Sequence, residues 1–283
     1  MRAPAEQTLT EDFDAQYRRH QSPVLRSIER KACGCDYGGT SWTTRSEADR
    51  ICELLNLRSG RRLLEIGAGS GWPGLYLARR IGCDLTLVDL PLEGLRIAAR
   101  RATSDGIAGR CWIAAASGAA LPFEDHAVDA ISHSDVLCCL DAKLDVLHTC
   151  RRVIRARATM VFTVISITTG LSATDHARAI DLGPPFVDSQ SDYATMLART
   201  GWHIRDRVDL TADYARTARR YLQEQENHRD ELEELLGSAD LDAQLTRMGA
   251  KLAAIDAGLF RRELYVTAPA GSVDRRVESI AAG

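Results

Sequence analysis

Leu63-Leu-Glu-Ile-Gly-Ala-Gly-Ser-Gly71 is the stretch on which the reading of this chain turns. The short apolar run Arg62-Leu-Leu-Glu-Ile66 ends in three glycines at alternate positions, and Leu75-Tyr-Leu-Ala-Arg-Arg80 follows with helical character. Strand, glycine turn and helix together open an α/β unit. Glycine in such a turn permits positive φ and leaves no side chain between backbone and ligand. Open α/β sheets place their ligands at the carboxyl ends of the strands. Gly67, Ala68, Gly69 and Gly71 are therefore the expected cradle of a nucleoside-sized ligand. The spacing G-x-G-x-x-G also fits from Gly69 to Gly74, so the turn by itself is compatible with a dinucleotide. Glu65, inside the strand, suits a cationic ligand better than a pyrophosphate. Asp89 closes Leu87-Val-Asp-Leu90, where a carboxylate can accept hydrogen bonds from both ribose hydroxyls, with Leu90 beside it. Asp89 also reads as a helix N-cap with Pro91 in the first turn.

Outward from this unit the pattern repeats. Strands are expected at 85–88, 111–115, 128–132 and 159–165, with helices at 92–104 and 141–155 between them. Strands that are apolar on both faces and alternate with helices describe a parallel sheet covered on both sides. Upstream, residues 10–31 read as helix broken at Ser22-Pro23, and Cys33 to Trp42 as a glycine-rich loop. Thr44 and Glu47 have capping-box spacing and start a helix through Leu57. Downstream come a helix at 189–200, a strand at 202–210, a charged helical stretch over about 212–257, and a last strand at 259–267. Residues 1–9 read as disordered and those beyond 270 as frayed.

Ala115-Ala-Ser-Gly-Ala-Ala-Leu-Pro-Phe-Glu-Asp-His-Ala-Val-Asp-Ala-Ile131 resembles a segment of the class I S-adenosylmethionine-dependent methyltransferases, with Leu121-Pro-Phe123, Asp125 and Asp129 in register. With the glycine turn and Val88-Asp89, three motifs stand in that family's order over roughly 45–167. The resemblance implies a Rossmann-like, doubly wound, mostly parallel seven-stranded sheet with helices on both faces. It implies a single domain over 1–283: an N-terminal helical cap at 1–44, a cofactor core at 45–167, and a C-terminal part at 168–283 with a helical insertion at about 211–258. The implied cofactor is S-adenosylmethionine, an ammonium and a sulfonium without phosphate, which Glu65 would help place. Ser117 stands where relatives often carry an acid near the adenine, so Ser117 and Gly118 would serve through a hydroxyl and backbone groups. His133, on the expected loop after the fourth strand, is the candidate general base and a lining residue of the cofactor site. Tyr17 and Trp42 are the expected substrate walls. The N-P-P-Y-like motif of nucleic-acid N-methyltransferases is absent from this loop, which argues against DNA or protein-glutamine targets, and the expected cap, as in small-molecule members of the superfamily, implies a small or medium-sized metabolite as acceptor, at O, N or C. A nicotinamide oxidoreductase and a non-catalytic methyltransferase-like binding protein are the alternatives.

A net charge of -3 argues against general nucleic-acid binding. No apolar run reaches the roughly 18 residues that span a membrane. The first twenty residues hold Glu6, Glu11, Asp12 and Asp14 and no apolar core of a secretory signal, so the cytoplasm is the expected compartment. Of the eight cysteines, Cys33-Gly-Cys35 and Cys138-Cys139 lack the spacing of zinc ligands, so no metal is expected and the thiols read as free. Magnesium chemistry of the catechol type needs an acidic cluster that the sequence does not assemble.

Overall fold

The computed structural model describes residues 4–271. In chain order the elements are α1 (Pro4–Arg19), α2 (Pro23–Cys33), α3 (Arg45–Leu55), β1 (Arg62–Ile66), α4 (Gly74–Ile81), β2 (Asp84–Asp89), α5 (Leu92–Ser104) and β3 (Cys111–Ala115). Then follow β4 (Val128–Ser134), α6 (Lys143–Val153), β5 (Ile154–Ile167), α7 (Ala173–Leu182), α8 (Tyr193–Arg199), β6 (Trp202–Asp209), α9 (Thr211–Asn227), α10 (Arg229–Leu236), α11 (Ser238–Asp256) and β7 (Phe260–Pro269).

The seven strands form one sheet in the order β3-β2-β1-β4-β5-β7-β6. All neighbours pair parallel except β7, which runs antiparallel to β5 and β6. This is the expected Rossmann-like doubly wound sheet. β1 lies between β2 and β4, so the strand order reverses there and a crevice opens above the carboxyl ends of β1 and β4. Alternation along each strand feeds two apolar layers. Leu64, Ile66, Met160 and Phe162 pack on the α6 side, and Leu63, Leu85, Leu87 and Val161 pack toward α3, α4 and α5. At one edge, β6 turns Arg205, Asp206 and Arg207 to solvent, charge that discourages edge-to-edge pairing.

Several boundaries depart from the sequence reading. Residues 4–9 belong to α1 rather than to a disordered lead-in. The helix is anchored further along, where Asp14 Oδ1 accepts the Glu93 N–H at 2.7 Å and so caps α5, whose own N-cap residue Pro91 provides no side-chain cap. The break at Ser22-Pro23 is present, with Ser22 capping α2. α7 was not anticipated; Ser172 starts it by accepting the Asp175 N–H. The single charged stretch is three helices, broken at His228 and at Gly237 with φ 83°. The expected fraying beyond 270 falls, past Gly271, outside the described residues. No helix among the described residues is long and apolar enough to cross a membrane, and no group of histidine, cysteine or acidic side chains there could hold a metal ion.

Candidate functional site

The glycine turn leaves β1 with Gly67 at φ 62° and Gly69 at φ 49°. Both positions need glycine for two reasons. L-residues avoid that backbone region, and a Cβ at Gly67 would run into Val136 while one at Gly69 would run into the Tyr17 hydroxyl. The turn is fixed from below by Asp89 at the end of β2. Its Oδ2 accepts the Gly69 N–H and its Oδ1 the Leu90 N–H, both at 2.7 Å. Enclosure raises this carboxyl to about 6, and the two amide bonds oppose that rise. Each Asp89 oxygen keeps a second acceptor position, which is what a pair of ribose hydroxyls requires.

A cap closes over the turn. Tyr17 of α1 is 5% exposed and lies against Gly69 and Gly94. The His20 Nδ1–H, at the end of the same helix, donates to the Gly39 carbonyl at 2.8 Å. Glu29 of α2 accepts the Gly38 N–H at 2.6 Å and the Gly39 N–H at 3.3 Å, so two side chains pin the loop before Trp42. Burial pushes the Glu29 carboxyl up and the His20 imidazole down from their ordinary values. Trp42 stands edge-on to Tyr214 and Tyr221, with ring centroids 5.0 and 5.6 Å away, and Lys251 Nζ of α11 is 5.8 Å from its ring. The third wall is the loop after β4, where Asp135 adopts φ 57°. It is held by Arg262 of β7, a fully buried guanidinium whose Nε donates to Asp135 at 3.0 Å and whose Nη1 donates to Glu47 at 2.7 Å.

These walls enclose a cavity of about 580 Å³, within the range of small-molecule sites (roughly 300–1,000 Å³). Of the residues named from the sequence, Gly67, Ala68, Gly69, Asp89, Leu90, Tyr17 and Trp42 line it. Glu65, Gly71, Ser117, Gly118 and His133 do not. Gly71 instead turns the chain into α4, closing a bond from its N–H to the Ala68 carbonyl at 2.8 Å.

His133 requires the firmest correction. β4 runs on to Ser134, so His133 is a strand residue paired with Phe162 rather than a loop residue. Its ring is 1% exposed, stacks on Phe162 at 4.6 Å between centroids, and has no hydrogen-bond partner at either nitrogen. Burial drives its pKa to about 3, so it is a neutral core ring without access to a substrate. Glu65 is likewise turned into the structure. Its carboxylate, 1% exposed, accepts a bond from the Ser132 hydroxyl, and burial raises its pKa to about 7. Ser117 Oγ accepts the Ala119 N–H, and the Gly118 carbonyl accepts from Thr149 at 2.6 Å; both bonds secure a short turn against α6.

The sequence reading missed His20, Glu29, Ser70, Gln225, Lys251 and Arg262. Arg262 left a faint trace, the middle of three consecutive charges, Arg261-Arg-Glu263, ahead of the apolar Leu264-Tyr-Val266 of the last strand. The others lie on helices and loops whose apposition only the folded chain reveals.

Residues 64–162 match the methyltransferase domain family. The chain is 23% identical over 214 residues, 76% of its length, to a phosphoethanolamine N-methyltransferase of Triticum aestivum, and it spans only 42% of that protein. Among solved structures, phosphoethanolamine N-methyltransferase 2 of Haemonchus contortus, in complex with phosphomonomethylethanolamine and S-adenosylhomocysteine, superposes with a TM-score of 0.74 at 15% identity, covering 91% of this chain and 60% of that one. The cyclase SpnF gives 0.70 at 20% identity, covering 95% and 98%. Identities this low speak for the fold, and the domain match speaks for the family against a nicotinamide-binding alternative. Residues 64–162 thus carry a methyltransferase domain, and the chain shares its fold with S-adenosylmethionine-dependent methyltransferases.

Proposed function

We propose that this chain transfers the methyl group of S-adenosylmethionine to a small or medium-sized acceptor held between the glycine turn and the helical cap. The observation that carries the reading is the pairing of Asp89 with the turn. A carboxylate clamped by Gly69 and Leu90 faces the same cavity as the backbone of Gly67, Ala68 and Gly69. The residues present suit the cofactor in a second respect. Ser70 Oγ, 2% exposed, lines this end of the cavity without a partner. Buried polar atoms are rarely left so, and a bound polar ligand would satisfy it.

The cofactor supplies a methyl carbon made electrophilic by a neighbouring sulfonium. The chain's own residues do the rest. Gly67 to Ser70 and Asp89 fix the nucleoside end, and Tyr17 and Trp42 wall the acceptor and keep water away. An acceptor hydroxyl or ammonium must also lose a proton. His20 is the base this cavity provides: its Nδ1–H is committed to the Gly39 carbonyl, which leaves Nε2 as the acceptor nitrogen, without a partner among the described residues. Because burial lowers its pKa below the ordinary 6.5, the ring is neutral and basic at physiological pH. An acceptor at carbon, already nucleophilic, would use the same walls without this step.

Calorimetric titration with S-adenosylmethionine, S-adenosylhomocysteine and NADH tests the reading. Binding of both adenosyl ligands and not of NADH is expected. Binding of NADH alone, or of none of the three, refutes it.

A further inference from the structure

Beyond the glycine turn, the cavity lining includes the apolar side chains Phe13, Leu25, Ile28, Trp42 and Met248. Lys251 of α11, a half-buried ammonium, lines the same cavity with its Nζ 5.8 Å from the Trp42 ring. No carboxylate among the described residues pairs with it. Burial lowers its pKa, the Arg247 guanidinium repels it in the same direction, and the Cys139 and Cys138 thiols act against both.

The acidic groups lining the cavity are committed elsewhere. Asp135 is neutralised by Arg262, Glu29 is saturated by the Gly38 and Gly39 amides, Asp89 belongs to the cofactor end, and Asp12 stands exposed at the rim. A cation sheltered from water without an opposite charge is costly unless a ligand brings one. An independent observation adds a second unsatisfied polar group to the same cavity. Gln225 is 5% exposed, lines the cavity, and leaves Oε1 buried without a donor.

We propose that the acceptor is an amphiphile with an apolar body and an anionic group, a carboxylate or a phosphate monoester, and that Lys251 binds that anion while Trp42 packs its body. This rests on the methyl-transfer reading for the word acceptor, but the site itself does not depend on it. The ammonium, held on the Trp42 face, fixes which end of the molecule lies inward, and so which atom is presented to the cofactor end. Gln225 Oε1 accepts from a hydroxyl or amide N–H on the same molecule.

The test uses octanoate, octyl phosphate and octanol as probes of equal chain length. Binding is measured by calorimetry on the full chain, first alone and then saturated with S-adenosylhomocysteine. At least one anion is expected to bind tenfold or more tightly than octanol, and the tighter of the two identifies the group. In Lys251→Met, which keeps the apolar stem, that preference should vanish with S-adenosylhomocysteine affinity unchanged, and Lys251→Arg should restore it. Equal binding of anions and octanol by the wild type overturns the proposal, whatever the variants do, and so does a preference that survives Lys251→Met. Failure of S-adenosylhomocysteine to bind would refute the methyltransferase reading alone, because the probe titrations on the free chain still decide the anion site.

Discussion

Replacing Arg262 by methionine removes a guanidinium that is fully buried and bridges four segments of the chain. It donates to Asp135 at 3.0 and 3.1 Å, to Glu47 at 2.7 Å, to Thr43 at 3.2 Å and to Thr163 at 3.4 Å. The carboxylates left behind are 9% and 6% exposed, too enclosed to be rehydrated without local opening. Breaking a buried ion pair from one side costs about 3–5 kcal/mol, because the remaining charge is stranded. Two stranded carboxylates on one cation are coupled, so the cost should lie near the upper end rather than double. Against a total stability of about 5–15 kcal/mol this is a large fraction. At roughly 2–4 °C per kcal/mol, a loss of about 4–5 kcal/mol should lower the midpoint by roughly 8–20 °C. Urea unfolding measures the free-energy loss and a thermal melt the midpoint, both followed by tryptophan fluorescence, since Trp42 and Trp72 flank Thr43 and report on this junction. The triple variant Arg262→Met, Asp135→Asn, Glu47→Gln separates charge from packing and should recover more than half of the loss. A loss below about 1 kcal/mol for Arg262→Met, or no recovery in the triple variant, would refute the claim that charge pairing holds this corner.

Two further outcomes follow from the site. Asp89→Ala should weaken S-adenosylhomocysteine binding by about 1–3 kcal/mol, the scale of losing hydrogen bonds to a charged group, and wild-type affinity should fall as pH drops through about 6, where the carboxylate gains its proton; calorimetry across pH checks both, and a variant that binds like the wild type would remove the ribose assignment. His133→Leu should leave turnover of an acceptor within a few-fold and stability within about 1 kcal/mol, since both ring nitrogens are unpartnered, whereas His20→Gln should lower turnover of a hydroxyl or amine acceptor by about 10²–10⁴ and abolish the acid limb of the pH profile, which in the wild type lies below the ordinary histidine value.

The sheet was legible because its signals are local. Leu63-Leu64 and Leu85-Thr-Leu-Val88 are apolar on both faces, as buried parallel strands must be, and the glycines mark where β1 ends. Thr44 and Glu47 announced the start of α3, and the capping box is present as read. Of the cavity lining, the sequence reading reached the glycine turn, Asp89 and Leu90 at a strand end, and Tyr17 and Trp42 on the cap. His133 misled because the sequence does not say whether β4 stops at Ser132 or at Ser134, and one residue of strand turns a side chain from the crevice to the core. Glu47 shows the other kind of miss. Its capping role consumes Oε2, but Oε1 carries half of the Arg262 junction, a contact across 215 positions that no local pattern encodes. His20 and Lys251 were invisible for the same reason, because the cavity is a meeting of the first and last helices of the chain.

Tyr17 gives that meeting a kinetic meaning. Its ring lies on Gly69, the residue that a bound nucleoside would also touch, and on Gly94 at the start of α5. A nucleoside along the turn would share Gly69 with the Tyr17 ring, so its binding and the seating of α1 are coupled. The Asp14 bond to Glu93 and the buried Tyr17 ring hold that helix down with a few kcal/mol at most (about 1 for the bond and 1.5–3 for the ring). A hold of that size leaves α1 seated in most molecules and lifted in a small fraction. On the proposed methyl transfer, exchange of the nucleoside would be tied to that lifted fraction.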